Sequence, residues 1–206
     1  MKYKHIVFDI DGTLIDTEKA ILNSLQDTII ELQNRKIDLV ELRFALGIPG
    51  ETTLQQLGIN DIQQGNKTWN NHLKKHIHSI KVFDGIEPLI KNLKEKQYTL
   101  GIITSKNRNE YKNDFEPFAL EKYFKKVICV EDSEQPKPSP EPMMKYIEVT
   151  KAKKAEVLYI GDSIYDMQCA LNAGVDFGLA LWGRQSAGQI QATYYFDTPQ
   201  DIALVC

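Results

Sequence analysis

The chain of 206 residues is short of cysteine, of long apolar runs and of positive charge. Its three cysteines, Cys129, Cys169 and Cys206, are odd in number and far apart, with no Cys-x-x-Cys pair. That pattern offers neither a disulfide nor a zinc framework and suits a reducing compartment. No apolar stretch approaches the roughly 18 residues of a membrane span. The opening Met1-Lys2-Tyr3-Lys4 enters a strand pattern without the apolar segment or cleavage site of a signal peptide. The expectation is a cytoplasmic protein that does not engage membranes. Lysine and arginine number 25 against 28 acids, a net charge of −3, so the clustered basic footprint of a nucleic-acid binder is missing. An anionic ligand would need a metal ion or locally focused positive charge. No internal repeat or low-complexity tract is present, and the length fits one large domain or a domain carrying an insertion.

Five short apolar runs stand out: His5–Phe8, Leu100–Ile103, Val127–Val130, Val157–Ile160 and Phe177–Ala180. They are continuous rather than alternating, which predicts strands buried on both faces. Between the later runs, Ile86, Leu89, Ile90 and Leu93 keep helical spacing, as do Met143, Met144 and Ile147. This alternation predicts an α/β fold, a doubly wound parallel sheet. From Thr17 to Ile80 there is no strand candidate. Instead, Ile21, Leu22, Leu25, Ile29 and Leu32 form a helical stripe that Thr17 is placed to cap. Leu39, Leu42 and Leu46 predict a second helix ending at Gly47-Ile48-Pro49-Gly50, and Leu54 and Leu57 a third ending at Gly58. Trp69, Leu73, Ile77 and Ile80 predict a fourth. The economical reading is an α-helical cap at 17–80 inserted into a core of 1–16 and 81–206, with the returning hinge at Phe83-Asp84-Gly85.

Ligands of parallel sheets bind beyond the carboxyl ends of the strands. After the first run come Asp9-Ile10-Asp11-Gly12-Thr13; after Ile103, Thr104-Ser105-Lys106; beyond Val130, Lys137 between Pro136 and Pro138; after Ile160, Gly161-Asp162-Ser163 and then Asp166. Carboxylates, hydroxyls and a lysine therefore converge on one edge. Asp9 and Asp11, two apart, would face one way along an extended strand. Crowded carboxylates call for a cation, and hard oxygen donors without nearby histidine or cysteine suit Mg²⁺. A carboxylate can also attack phosphorus while a second carboxyl protonates the leaving oxygen. Gly12 permits close backbone approach to an anion.

Asp9-Ile10-Asp11-Gly12-Thr13-Leu14-Ile15-Asp16 resembles the first motif of the haloacid dehalogenase superfamily. Thr104 is similar to its second, Lys137 to its third, and Gly161-Asp162-Ser163-Ile164-Tyr165-Asp166 to its fourth. Together the motifs span nearly the whole chain, and the helical insertion resembles the cap of the subgroup with phosphoglycolate phosphatases, pyrophosphatases and β-phosphoglucomutase. Thr104-Ser105-Lys106 and Leu181-Trp182-Gly183 lean towards the first two. The resemblance implies a Mg²⁺-dependent phosphatase acting on a small phosphorylated metabolite through an aspartyl-phosphate. Asp9 would be nucleophile and metal ligand. Asp11 would be the general acid/base, with its carbonyl on the metal. Thr104, Ser105, Lys137 and Gly12 would hold the phosphoryl group, Asp162 would bind the metal, and Asp166 and Ser163 would stand just outside it. Rival readings are a phosphomutase, a dehalogenase, against which Asp11 argues, and a non-catalytic binding module.

Other residues carry weaker expectations. Asp16 is suited to capping the next helix. Lys106 and Arg108 are placed to meet an anionic leaving group, and Gly47–Gly50 to reach into the site. His72 and His76 share a helix face without a third ligand, which argues against a zinc site. Trp69 and Trp182 are expected to be packing groups.

Overall fold

The computed structural model describes residues 2–183 and 190–206. Six parallel strands form the sheet in the order β5-β4-β1-β6-β7-β8. They are β1 (His5–Phe8), β4 (Thr99–Ile103), β5 (Lys126–Ile128), β6 (Val157–Gly161), β7 (Asp176–Ala180) and β8 (Tyr194–Phe196). Each apolar run became a strand. β5 is shorter than Val127–Val130 implied, because the Cys129 amide donates to Asp132 Oδ2 at 2.8 Å and turns the chain away from the sheet. β8 had no apolar run to announce it; it is an edge strand with Tyr195 half exposed.

Successive β1 side chains face opposite layers. Ile6 and Phe8 join the core beneath α4 (Ile86–Glu95), which buries Ile86, Leu89, Ile90 and Leu93. Val7 joins the other core, with α6 (Glu141–Thr150) and α7 (Ile164–Ala173). On α6 the buried face is Met143 and Tyr146; Met144, expected inward, is exposed.

Between β1 and β4 the chain makes α1 (Glu18–Gln33), α2 (Gly50–Gln56) and α3 (Ile62–His76). The second expected helix is only a 3-10 turn, Glu41–Ala45, and the fourth ends at His76 rather than running on to Ile80. Leu22, Leu25, Ile29, Leu42, Leu54 and Leu57 bury one another in a cluster separate from the two sheet layers. This helical cap joins the sheet through a ribbon: β2 (Ile15–Asp16) pairs antiparallel with β3 (Lys81–Val82), and the Phe83 amide donates to the Leu14 carbonyl at 3.2 Å. Two-residue strands leave no periodicity to read, so the ribbon was invisible in the sequence. Beside it, Gly85 opens α4 at φ 89°, a conformation that suits glycine. Asp16 accepts from the Glu18 amide at 3.3 Å, at the start of α1. Among the described residues, no helix is long and apolar enough to cross a membrane.

Leu25 is fully buried in the cap cluster. Leu25→Ala is expected to cost about 2–5 kcal/mol of stability, measured by urea unfolding.

Candidate active site

The chain runs from β1 outward through β4 to β5, then returns to β6 on the other side of β1. The strand order thus reverses beside β1, and the crevice at the carboxyl ends of β1 and β6 is where such sheets bind ligands. Asp9 follows β1 directly, its amide bonded to the Ile160 carbonyl at 2.8 Å. Beyond it the backbone does not stay extended. The amides of Thr13, Leu14 and Ile15 all turn back onto the Ile10 carbonyl. Asp9 and Asp11 are therefore not neighbours along an extended strand, yet both line the same cavity.

Gly12 follows at φ +76°, and a Cβ there would lie 2.4 Å from Asp162 Oδ2. Only glycine lets the first loop pass so close to Asp162 in that conformation. Gly183 is pressed against this turn from the other side; its Cβ would lie 2.1 Å from the Gly12 carbonyl oxygen. Trp182 donates to the Thr13 carbonyl at 3.0 Å. Its role is to anchor the loop.

Lys137 enters from the loop after β5 and is buried. Its ammonium donates to Asp9 Oδ1 at 2.9 Å and Asp166 Oδ1 at 2.6 Å. Asp166 also accepts from Tyr159 Oη at 2.7 Å, from the Ser163 amide at 3.1 Å and from Ser163 Oγ at 2.5 Å. Four donors fill the lone pairs of one carboxylate. Asp166 thus acts on Lys137, and Ser163 caps α7, reciprocally with Asp166. Oxygens of Asp9, Asp162 and Asp166 lie within 4.8 Å of one another. The cluster is made of carboxylate oxygens alone. All-oxygen donors of this kind fit Mg²⁺.

The electrostatics follow from burial. Burial pushes the Asp9 carboxyl up to about 7 although Lys137 pulls the other way, because Asp166 shares the lysine and Asp11 adds its charge. Burial also opposes the charges of Lys137 and Asp166, but their mutual attraction wins. It holds the lysine above its ordinary range and Asp166, helped by its hydroxyl donors, below the ordinary carboxylate range.

Asp11 is held separately. Thr17 Oγ1 donates to its Oδ1 at 2.7 Å, so Thr17 stands at the start of α1 without its side chain capping that helix. Lys106 Nζ lies 3.1 Å from the same oxygen and 2.8 Å from Asp114 Oδ2. Thr104 is buried, with its hydroxyl accepting from the Lys106 amide at 3.1 Å. Ser105 Oγ crosses to the cap and donates to the Gly47 carbonyl at 3.1 Å. Gly47 also packs on Ser163, whose Cβ would be 3.2 Å from a Cβ at Gly47. The Gly47–Gly50 loop does reach the site. Cap and core enclose a cavity of about 60 Å³ that touches Asp9, Asp11, Lys106 and Lys137.

Other candidates lie elsewhere. Arg108 pairs with Asp132 at the surface. His72 and His76 join Glu31 and Asp27 of α1, each at 2.8 Å, and tie α3 to α1. Trp69 bonds to Ser24 Oγ at 2.9 Å and its ring also lines the cavity, which makes it more than a packing group. Sequence reasoning missed Tyr159, which reads as an ordinary apolar strand residue. It also missed Glu110 and Asp114, whose only signal was their spacing of four just after Lys106.

The model of the family described as "Haloacid dehalogenase-like hydrolase" matches residues 6–180. The chain belongs to this family. A protein named "Putative pyrophosphatase PpaX" from Caldanaerobacter subterraneus subsp. tengcongensis is 33% identical over 88% of this chain and 83% of its own. "Pyrophosphatase PpaX" from Halalkalibacterium halodurans is 28% identical over 98% of this chain and 96% of its own. Among solved structures, a "putative phosphoglycolate phosphatase" from Lactobacillus plantarum superposes with a TM-score of 0.91 at 27% identity, over the full length of both chains. As a member of this family the chain is a hydrolase, with the helical cap that the fold showed.

Two consequences of the buried charges are measurable. Asp166→Asn leaves Lys137 with one carboxylate partner and is expected to cost about 3–5 kcal/mol, read from denaturant unfolding. The raised Asp9 carboxyl makes the folded state bind more protons than the unfolded state between its ordinary 3.8 and about 7. Its contribution to stability is present below that interval and is lost as pH rises through it. In protein stripped of metal, Asp9→Asn is expected to flatten the fall in unfolding free energy between about pH 4 and about pH 7.

Proposed function

We propose that the protein is a Mg²⁺-dependent phosphatase of small phosphorylated metabolites that works through an aspartyl-phosphate. One observation carries this reading: a buried Asp9 carboxylate, held at one oxygen by the clamped ammonium of Lys137 and with an oxygen within 4.8 Å of one of Asp162, lines the cavity between cap and core. The names of the relatives, pyrophosphatase and phosphoglycolate phosphatase, support the same class of chemistry.

In the proposed reaction an Asp9 oxygen attacks phosphorus and the bond from phosphorus to the leaving oxygen breaks. Asp11, on its separate mount, protonates that leaving oxygen. The resulting acyl phosphate is then cleaved by water, from which Asp11 removes a proton, and Asp9 is restored. Lys137, the Thr104 hydroxyl, Ser105 and the backbone beside Gly12 would hold the phosphoryl oxygens as negative charge spreads over them. Asp9, Asp162 and the Asp11 carbonyl would hold Mg²⁺, which when bound supplies charge neutralisation for the phosphoryl group. Asp166 and Ser163 would keep Lys137 aimed.

Residues 17–80 would act as a cap that swings on the β2–β3 ribbon and, when shut, excludes bulk water. Its separate apolar cluster and the narrowness of the ribbon support that division.

Phosphate release from a panel of metabolites tests the reading. Turnover is expected with Mg²⁺ and not with EDTA. Asp9→Asn should abolish it, and Asp11→Asn should lower it by about 10²–10⁴. Full activity in either variant, or indifference to EDTA, would overturn the mechanism.

A further inference from the structure

The cavity has two unlike halves. Towards the core it meets the charged groups already described, with Glu110 and Asp114 beside Lys106. Towards the cap its wall is apolar: Ile21, Ala45, Ile48, Trp69 and Leu73, interrupted by the amide of Asn70. Among the described residues, no lysine, arginine or histidine of the cap lines it.

Neither cavity lysine is an unshared cation. Lys137 divides its charge between Asp9 and Asp166, and Lys106 between Asp114 at 2.8 Å and Asp11 at 3.1 Å. The lining carboxylates Asp9, Asp11, Glu110 and Asp114 outnumber the two ammonium groups. A divalent cation at Asp9 and Asp162 would offset that excess for the transferring phosphoryl group alone. A second anionic group on the substrate would meet either an apolar wall, where an unpaired charge is costly, or the carboxylates Glu110 and Asp114, which repel it.

We infer that the group released from the substrate carries no negative charge, and that it lays a compact apolar face against Ile48, Trp69 and Leu73 while Asn70 offers it a hydrogen bond. This rests on the phosphatase reading and narrows it. It separates this chain from the anionic substrates in its relatives' names.

Three esters matched in size differ only at the far end of the leaving group: 2-phosphoglycolate has a carboxylate, 2-hydroxyethyl phosphate a hydroxyl and phosphoethanolamine an ammonium. With the Mg²⁺-loaded full-length protein, kcat/KM is expected to be about tenfold or more higher for the better of the last two than for phosphoglycolate or pyrophosphate. Glu110→Gln keeps an acceptor for the Asn107 amide that Glu110 now caps. It should narrow the gap by about threefold or more by removing one repelling charge. Phosphoglycolate or pyrophosphate as the best of the four, or a gap unmoved in Glu110→Gln, would overturn the inference and leave the phosphatase reading intact. Turnover of none of the four, or of any broader panel, would remove the phosphatase reading and the inference with it.

Discussion

The site is organised around one ammonium group that two carboxylates share. Lys137 lies buried between Asp9 and Asp166, and its charge is tolerable there because two carboxylates share it. The sharing is unequal by design of the surroundings. Asp166 has two hydroxyl donors and an amide besides the lysine, so it keeps its charge. Among the described residues only the lysine bonds to the Asp9 carboxylate, and burial lifts it towards neutrality. The carboxylate facing the cavity is thus, among the described residues, the one with fewer donors.

A second lysine repeats the arrangement on the other side. Lys106 bridges Asp11 and Asp114 as Lys137 bridges Asp9 and Asp166. The two acids of the first motif are thus mounted on separate ion pairs.

Most of the fold was legible, and the reason is local. A strand buried on both faces must be continuously apolar, and five of the six sheet strands advertised themselves in that way. β8 did not, because an edge strand may expose Tyr195. The β2–β3 ribbon did not, because two residues carry no period. The candidate residues picked out in advance lie at strand ends, Asp9, Thr104 and Asp162, or between two prolines in the loop after β5, Lys137. What stayed hidden depended on side-chain contacts made where the chain turns back on itself. Thr17 looked like a helix cap until the turn brought Asp11 to it. Tyr159 looked like core. Lys106 was placed to meet an anionic leaving group, but nothing announced that Asp114 of the following helical segment would pair with it.

The packing at Gly12 has a mechanical consequence. Gly183 presses on one side of this turn and Asp162 on the other, with no room for even a methyl group on either glycine. Interiors this close do not yield gradually. The Asp162 carboxylate therefore rests directly on the bare backbone of the first loop, and any side chain at Gly12 would have to push it aside. Gly183 closes against the same backbone, so two absent side chains, rather than any group present, bring the acidic loop ends together.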